Sequence, residues 1–201
     1  LGSIEPNLIT EEFVERLGNL DKICDHFHLS LQSGCNDTLK RMNRKYTIEE
    51  FENSVNLLRK KFPNVALTTD IIVGFPGETE EEFNKTYEFL KKIKFSKMHI
   101  FKYSPRQGTV AAKMKQQIDA KTKEKRSNIL IELSNKNEIE FLEKYVGKEL
   151  DVLFETKTQG NYIEGHTTNY IKVKARGDNL ENTIETVQIL ERQGLELIGK
   201  M

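Results

Sequence analysis

The residues best placed for chemistry stand where predicted strands end. The segment His26–Gly34 (HFHLSLQSG) alternates polar and apolar side chains, as a strand does. Its apolar side chains would pack under helices, and its polar side chains would face the lumen of a barrel. Barrel sites lie at the carboxyl ends of strands, so Gln32 and Ser33 are predicted site residues. A hydrogen-bonded polar layer in a filled core fits the same pattern.

A metal site on this segment is the weaker interpretation. Cys24, His26 and His28 fall on one face of the predicted strand, and three such ligands can bind zinc. The sequence offers no fourth ligand and no acidic partner for the imidazoles nearby. Hydrogen-bonded histidines are therefore preferred, and no metal site is predicted.

Two further loops follow predicted strands. In Asp70–Thr79 (DIIVGFPGET), an apolar strand ends in a glycine-rich turn that opens a helix. Such a turn allows close backbone approach to a ligand, or serves only the conformation of the loop. In Tyr103–Thr109 (YSPRQGT), Arg106 suits a carboxylate or phosphate, or is a surface arginine. The basic run Lys40–Lys45 is either solvated or contacts an anionic ligand or RNA phosphate.

A basic stripe is predicted near the carboxyl end of the chain. Strand alternation places Tyr170, Lys172, Lys174 and Arg176 on one exposed face. Cations that meet phosphates and a ring that stacks on a base would suit single-stranded RNA. A solvated strand face is the alternative, because residues 147–201 hold seven basic and nine acidic residues.

The pattern of elements indicates an α/β fold. Helix signals begin at Thr10, Thr47 and Thr79, and the last two have capping-box spacing. In the first helix, Phe13, Leu17 and Leu20 form the predicted apolar stripe. Strands are predicted near 27–31, 65–73 and 97–103, in a parallel sheet covered by helices, a barrel or part of one. A long helix over 119–146 precedes a small all-β barrel.

The composition and the apolar pattern argue against a disordered, a membrane-spanning or a secreted protein. Of the 201 residues, 37% are hydrophobic and 31% charged, which is typical of a globular chain. No apolar run is long enough to cross a membrane and no signal segment opens the chain, so a cytoplasmic location is expected. The formal net charge of zero leaves nucleic-acid binding to local patches. The cysteines, Cys24 and Cys35, are expected to be free thiols.

The segments together resemble the radical-SAM methylthiotransferases. The stretches SIEP, HFHLSLQSG, LKRMNRKYT, TTDIIVGFPGETEEEF and YSPRQGTVAAKM occur in that order in this family, and GKELDVLFE with GHTTNYIKVKA resembles its RNA-binding TRAM domain. The resemblance implies the C-terminal part of a radical-SAM partial (β/α) barrel over 1–118. A connecting helix over 119–146 and a TRAM barrel over 147–201 would follow.

The resemblance also implies an activity. The sequence is most similar to enzymes that convert N6-threonylcarbamoyladenosine next to the tRNA anticodon to its 2-methylthio derivative. Enzymes for isopentenyladenosine or ribosomal protein S12 are the alternatives. The family uses S-adenosylmethionine and two [4Fe–4S] clusters, one of them held by C-x-x-x-C-x-x-C. That motif is absent here, and Cys35 stands where the family usually has serine. The fragment is therefore expected to bind no cluster and to be inactive alone.

Residue roles follow by resemblance. Those expected at the cofactor are Gln32 and Ser33 near the ribose, Arg44 at the carboxylate, and Ile72, Gly74 and Tyr103 around the adenine. Those expected at the RNA are Arg106, Tyr170, Lys172, Lys174 and Arg176. Catalytic residues stay unassigned. The expected partner is the tRNA anticodon stem-loop, and no membrane association is expected. An open edge of the partial barrel would favour self-association. A non-catalytic RNA-binding module and a barrel hydrolase built on Cys24, His26 and His28 remain open.

Overall fold

The chain folds into two compact units. A computed structural model describes all residues 1–201. The first unit contains Leu1–Ile23 and Phe27–Asn135, and the second contains Cys24–His26 and Lys136–Met201. Within either unit, none of the helices combines the length and the apolar character that crossing a membrane requires.

The first unit alternates helices and strands. After a 3-10 turn at Pro6–Leu8, its elements are α1 (Glu11–Gly18), β1 (His26–Gln32), α2 (Asn36–Arg41), α3 (Ile48–Lys61), β2 (Ala66–Val73), α4 (Glu80–Ile93), β3 (Lys97–Lys102) and α5 (Val110–Lys113). Helix α6 (Ala120–Glu143) begins in this unit and ends in the second. The order of elements confirms the α/β prediction.

The three strands form one sheet in the order β1-β2-β3. Strands β2 and β3 are parallel, as predicted, with Thr68 opposite Lys97 and Val73 opposite Lys102. The chain start lies along β1, because Ile4 makes a parallel bridge to Leu29.

Strand alternation separates an apolar face of the sheet from a polar one. Phe27, Leu29 and Leu31 are fully buried, whereas the residues between them are half-buried. The same core takes Phe51 of α3 and Leu90 of α4, both fully buried. Burying such a side chain contributes about 1.5–3 kcal/mol, so the apolar face fixes which residues face the other way.

The predicted helix starts are confirmed by their caps. Thr10 Oγ1 accepts a hydrogen bond from the backbone of Phe13. Thr47 and Thr79 each begin a helix with a complete capping box. The prediction for Leu20 is wrong, because α1 ends at Gly18 and Leu20 is 57% exposed.

The second unit is built on a small closed barrel. Its strands are β4 (Glu149–Thr158), β5 (Tyr162–Thr167), β6 (Lys172–Arg176), β7 (Ile184–Gln193) and β8 (Glu196–Lys200), closed in the order β4-β5-β6-β8-β7. Neighbours are antiparallel except β6 and β8, which are parallel. Gly165 allows β4 and β5 to approach, because a Cβ there would lie 2.0 Å from the Leu153 carbonyl oxygen. The predicted all-β barrel is confirmed.

Candidate functional site

A cavity of about 520 Å³ lies where the strands of the first unit end. Its lining residues are Gln32, Asp70, Ile72, Phe101, Lys102, Tyr103, Ser104, Arg106, Thr109 and Ala111. Gln32 is the last residue of β1, and Lys102 is the last of β3. The cavity thus occupies the place where parallel α/β sheets bind ligands.

The polar face of the sheet supplies the cavity floor. Asp70 and Ile72 lie on the β2 face opposite the buried Ile71 and Val73. In the parallel register, Ile72 pairs with Phe101 of β3, so the two apolar side chains adjoin in the lining. The floor therefore combines one carboxylate with an apolar strip.

Two cations and three hydroxyl-bearing residues, one of them Tyr103, add to the polar lining. Lys102 Nζ lies 2.5 Å from Glu124 Oε2, so its charge is shared with a carboxylate. The Arg106 side chain forms no ion pair with the carboxylates of the chain and lies in an exposed loop. The Tyr103 hydroxyl oxygen is buried without a hydrogen-bond partner. A buried hydroxyl without a partner costs free energy, so a ligand that hydrogen-bonds to it would be favoured.

The turn after β1 separates the two residues that we predicted there. Gln32 adopts φ +68° and lines the cavity. Ser33 is 1% exposed, and its Oγ accepts from the Cys35 backbone and lies 3.3 Å from Thr86 Oγ1. Ser33 therefore holds the turn and does not line the cavity.

The glycine-rich loop after β2 is fastened by a buried ion pair. Gly74 has φ +70°, and its N–H donates to Glu78 Oε1 at 3.0 Å. Arg126 Nη1 lies 2.7 Å from the same oxygen, and the two side chains are 5% and 3% exposed. Burial raises the pKa of the Glu78 carboxyl, against the opposing effects of the Gly74 N–H and Arg126. Gly74 shapes the loop and does not line the cavity.

The basic run is engaged in ion pairs. Arg44 Nη1 lies 3.3 Å from Glu5 Oε1, and Arg44 is absent from the cavity lining. Arg41 donates to both oxygens of Glu82, at 2.9 and 2.5 Å. That hydrogen-bonded pair raises the pKa of Arg41 and lowers the pKa of Glu82. Of this run, Arg41 thus joins α2 to α4, and Arg44 holds the segment before the 3-10 turn.

The histidines near the chain start have separate surroundings. Cys24 is exposed and precedes β1, and it groups with His26 in the second unit. His28 belongs to the first unit, where its Nδ1 lies 3.0 Å from Thr68 Oγ1 and its Nε2 lies 3.4 Å from Asp70 Oδ2.

The predicted RNA stripe of the second unit is partly neutralised. Lys172 Nζ lies 2.8 Å from Glu164, and Lys174 Nζ lies 2.7 Å from Glu196. The Glu164 hydrogen bond, followed by smaller effects, raises the pKa of Lys172. Arg176 lies over the Tyr162 ring, 5.4 Å from its centroid.

Tyr170 does not lie on the strand, contrary to the prediction. β6 begins at Lys172, and Tyr170 stands in the preceding turn with φ +63°. Its side chain is 64% exposed and stacks on two imidazoles, with ring centroids 4.5 Å from His166 and 5.2 Å from His26. Tyr170 therefore belongs to a cluster of three stacked rings next to the strand, outside its alternation.

Comparison with known proteins relates the chain to radical-SAM enzymes. Residues 3–90 match the Radical SAM superfamily. The chain is 44% identical over 196 residues to the threonylcarbamoyladenosine tRNA methylthiotransferase MtaB of Bacillus subtilis, covering 95% of this chain and 44% of that protein.

The chain is a relative of the radical-SAM methylthiotransferases. A tRNA-2-methylthio-N(6)-dimethylallyladenosine synthase of Alkaliphilus oremlandii is 41% identical over 199 residues, covering 98% of this chain and 42% of that protein. The ribosomal protein uS12 methylthiotransferase RimO of the same organism is 38% identical over 208 residues, covering 98% and 47%. The chain thus spans less than half the length of these relatives.

A solved structure supports the fold alone. The radical-SAM enzyme coproporphyrinogen III oxidase (HemN) of Escherichia coli has a TM-score of 0.57 at 12% identity, covering 83% of this chain and 45% of that one. Together with the match of residues 3–90 to the Radical SAM superfamily, this likeness confirms the predicted fold class of the chain.

Several cavity residues were missed by sequence reasoning. Asp70, Phe101, Lys102 and Thr109 line the cavity, but none was predicted as a site residue. The signal for Asp70 was present in the sequence, since a charged residue inside an apolar strand must face a polar or solvated region. Gln32, Ile72, Tyr103 and Arg106, predicted from separate segments, do line one cavity.

Proposed function

We propose that the chain is part of a tRNA methylthiotransferase that converts N6-threonylcarbamoyladenosine, next to the anticodon, to its 2-methylthio derivative. The observation that carries this proposal is a ligand-sized cavity at the strand ends of the sheet, in a chain that is similar to methylthiotransferases. The identity of 44% to the threonylcarbamoyladenosine enzyme favours that substrate over dimethylallyladenosine or protein uS12.

The cavity suits S-adenosylmethionine. Its volume of about 520 Å³ lies within the range of small-molecule sites, roughly 300–1,000 Å³. Asp70 complements an ammonium group, and Arg106 complements a carboxylate bidentately. Ile72 and Phe101 offer an apolar surface for the adenine, and the Tyr103 hydroxyl offers a hydrogen bond. Arg106 thus takes the role that the resemblance implied for Arg44.

The iron–sulfur clusters belong to the proposal for the whole protein. Cys24 and Cys35 are an exposed and a buried thiol in different units, and they do not fit the three-cysteine set of a cluster. In the whole protein, the cluster and S-adenosylmethionine would supply the radical chemistry. The residues of this chain would orient the cofactor and exclude water from it.

The second unit is proposed as a TRAM domain that binds the tRNA. The exposed ring cluster of Tyr170 with His26 and His166 carries this proposal, because an unpaired base that displaced one of the imidazoles would stack on the Tyr170 ring. Because Lys172 and Lys174 are already ion-paired, base stacking should contribute more to the RNA affinity than these two charges do.

Mass spectrometry of tRNA nucleosides tests the substrate. Deleting the gene should remove the 2-methylthio derivative of threonylcarbamoyladenosine and leave that of isopentenyladenosine in place. The intact gene should restore it, as should a variant with Arg16→Ala, since Arg16 forms an exposed ion pair with Glu12 and does not line the cavity. An Arg106→Ala variant should restore little. Loss of the isopentenyladenosine product, or of methylthiolated uS12, would assign the chain to the other relatives instead.

A further inference from the structure

A second group of side chains on the polar face of the sheet has the composition of a metal site. His28, Asp70 and His99 come from β1, β2 and β3, and one potential ligand atom of each lies within 4.8 Å of the others. Asp70 pairs with His99 in the β2–β3 register. We propose that these three residues bind a divalent first-row transition metal ion, with zinc the expected occupant.

The spacing of His28 and Asp70 fits a shared metal better than a direct contact. Nε2 of His28 lies 3.4 Å from Oδ2 of Asp70, beyond the usual N–H···O length of about 2.7–3.2 Å. Ligand bonds of about 2.0–2.2 Å in a tetrahedron place neighbouring ligand atoms about 3.4 Å apart. A metal ion therefore fits between these two atoms with little movement of either side chain.

The hydrogen bond at the other ring nitrogen supports the same assignment. Nδ1 of His28 lies 3.0 Å from Thr68 Oγ1. In the tautomer whose Nδ1–H donates to Thr68 Oγ1, His28 presents the lone pair of Nε2 towards Asp70. Metal-bound histidines are held in this way by a partner at the second nitrogen. An ion pair between His28 and Asp70 would not require a second imidazole nearby, yet the ring centroid of His99 lies 5.9 Å from that of His28.

The donor set selects the class of metal. Two imidazoles and one carboxylate suit zinc, iron, cobalt or nickel, whereas magnesium and calcium prefer oxygen ligands alone. Three protein ligands leave a fourth position for water or for a ligand atom, as in catalytic zinc sites. Asp70 also lines the cavity, so this position adjoins the space proposed for the small molecule. The other candidate group, Cys35 with Asp37 and Glu82, is weaker because Arg41 occupies Glu82.

Cobalt(II) and zinc(II) titrations of the 201-residue chain test the site. One equivalent should bind, with the visible absorption of cobalt in a nitrogen and oxygen site and no thiolate band, and zinc should displace it. His99→Ala should abolish this binding, and since His99 is exposed the variant should keep its circular dichroism. Asp70→Asn should abolish it too, and Thr68→Val should weaken it about 10–100-fold.

Matched controls decide the assignment. His166→Ala removes the histidine paired with Glu155 in the second unit and should leave metal binding unchanged, as should Cys24→Ser. Binding that persists in His99→Ala, that is lost in His166→Ala or Cys24→Ser, or that never occurs, would overturn the proposal. This readout is independent of methylthiotransferase activity, so it stands or fails separately from the proposed function.

Discussion

Replacing Arg126 by methionine should strongly destabilise the first unit. Its guanidinium lies 2.7 Å from Glu78 Oε1 and 3.1 Å from the Glu78 carbonyl oxygen, and its side chain is 5% exposed. Methionine keeps much of the apolar volume beside Phe83 but leaves the Glu78 carboxylate buried without its cation. Breaking a buried ion pair by removing one partner costs about 3–5 kcal/mol. The free energy of unfolding of the first unit should fall by that amount.

The destabilisation should depend on pH. Burial already raises the pKa of Glu78 above its ordinary 4.5, and loss of Arg126 removes an influence that lowers it. A carboxyl whose pKa is higher in the folded state than in the unfolded state destabilises the protein as pH rises through the folded pKa. The cost of Arg126→Met should therefore be complete at pH 8 and shrink towards pH 4.5. Adding Glu78→Gln should recover part of it, because no buried charge remains.

Urea unfolding followed by circular dichroism at pH 8 and pH 5 measures this effect. The fit needs a separate transition for the second unit, since two units need not unfold together. Arg16→Met is the matched control: its ion pair with Glu12 is exposed, and such pairs contribute about 0–1 kcal/mol. A loss below 1 kcal/mol for Arg126→Met, or a loss equal at both pH values, would refute the reasoning.

Substitutions at Glu82, Tyr170, Lys172 and Lys174 test another ion pair and the RNA surface. Glu82→Gln should lower the free energy of unfolding by about 1–3 kcal/mol at neutral pH. Because the hydrogen bond from Arg41 lowers the pKa of Glu82, the stability that this carboxylate contributes is present above pH 4.5 and is lost as pH falls below it. The free energy of unfolding should therefore change less with acid pH in the variant than in the wild type. Tyr170→Ala should weaken binding of anticodon stem-loop RNA by about 1–3 kcal/mol and leave the dependence of affinity on salt concentration unchanged. The double variant Lys172→Ala with Lys174→Ala should change the slope of that salt dependence by less than one unit per lysine, because both lysines are ion-paired. Fluorescence anisotropy across a salt series separates the stacking contribution from the electrostatic one.

Local signals predicted much of the fold. The capping boxes at Thr47 and Thr79 act within four residues, so their sequence pattern is sufficient to place the helix starts. Alternation likewise placed the buried side chains of β1, because burial of one face enforces a period of two. The prediction for Leu20 failed because nothing in the apolar spacing shows that the helix has already ended.

The candidate site was predicted less well, because its details depend on residues distant in sequence. The partner of Arg44 is Glu5, which lies 39 positions away, and the partner of Lys174 is Glu196. Charge counts of single segments cannot predict such pairs. Gln32 and Ser33 are neighbours in sequence, yet a single residue with positive φ sends one to the cavity and the other to the core.

Asp70 links the cavity to the proposed metal site. A carboxylate in the middle of an apolar strand is costly to bury unless it is paired or solvated. Its side chain is 34% exposed and lies 3.4 Å from the His28 imidazole, a distance too long for a strong hydrogen bond. The carboxylate therefore retains capacity to accept further bonds, either from the ammonium group of a cavity ligand or from a metal ion. Ile71 and Val73 fix its position, because both are buried on the opposite face of the same strand and prevent it from rotating into the core. The strand that supplies the apolar core thus also holds one carboxylate at a fixed place on the polar face, where it is available to one of the two proposed cations at a time, the ammonium group or the metal ion.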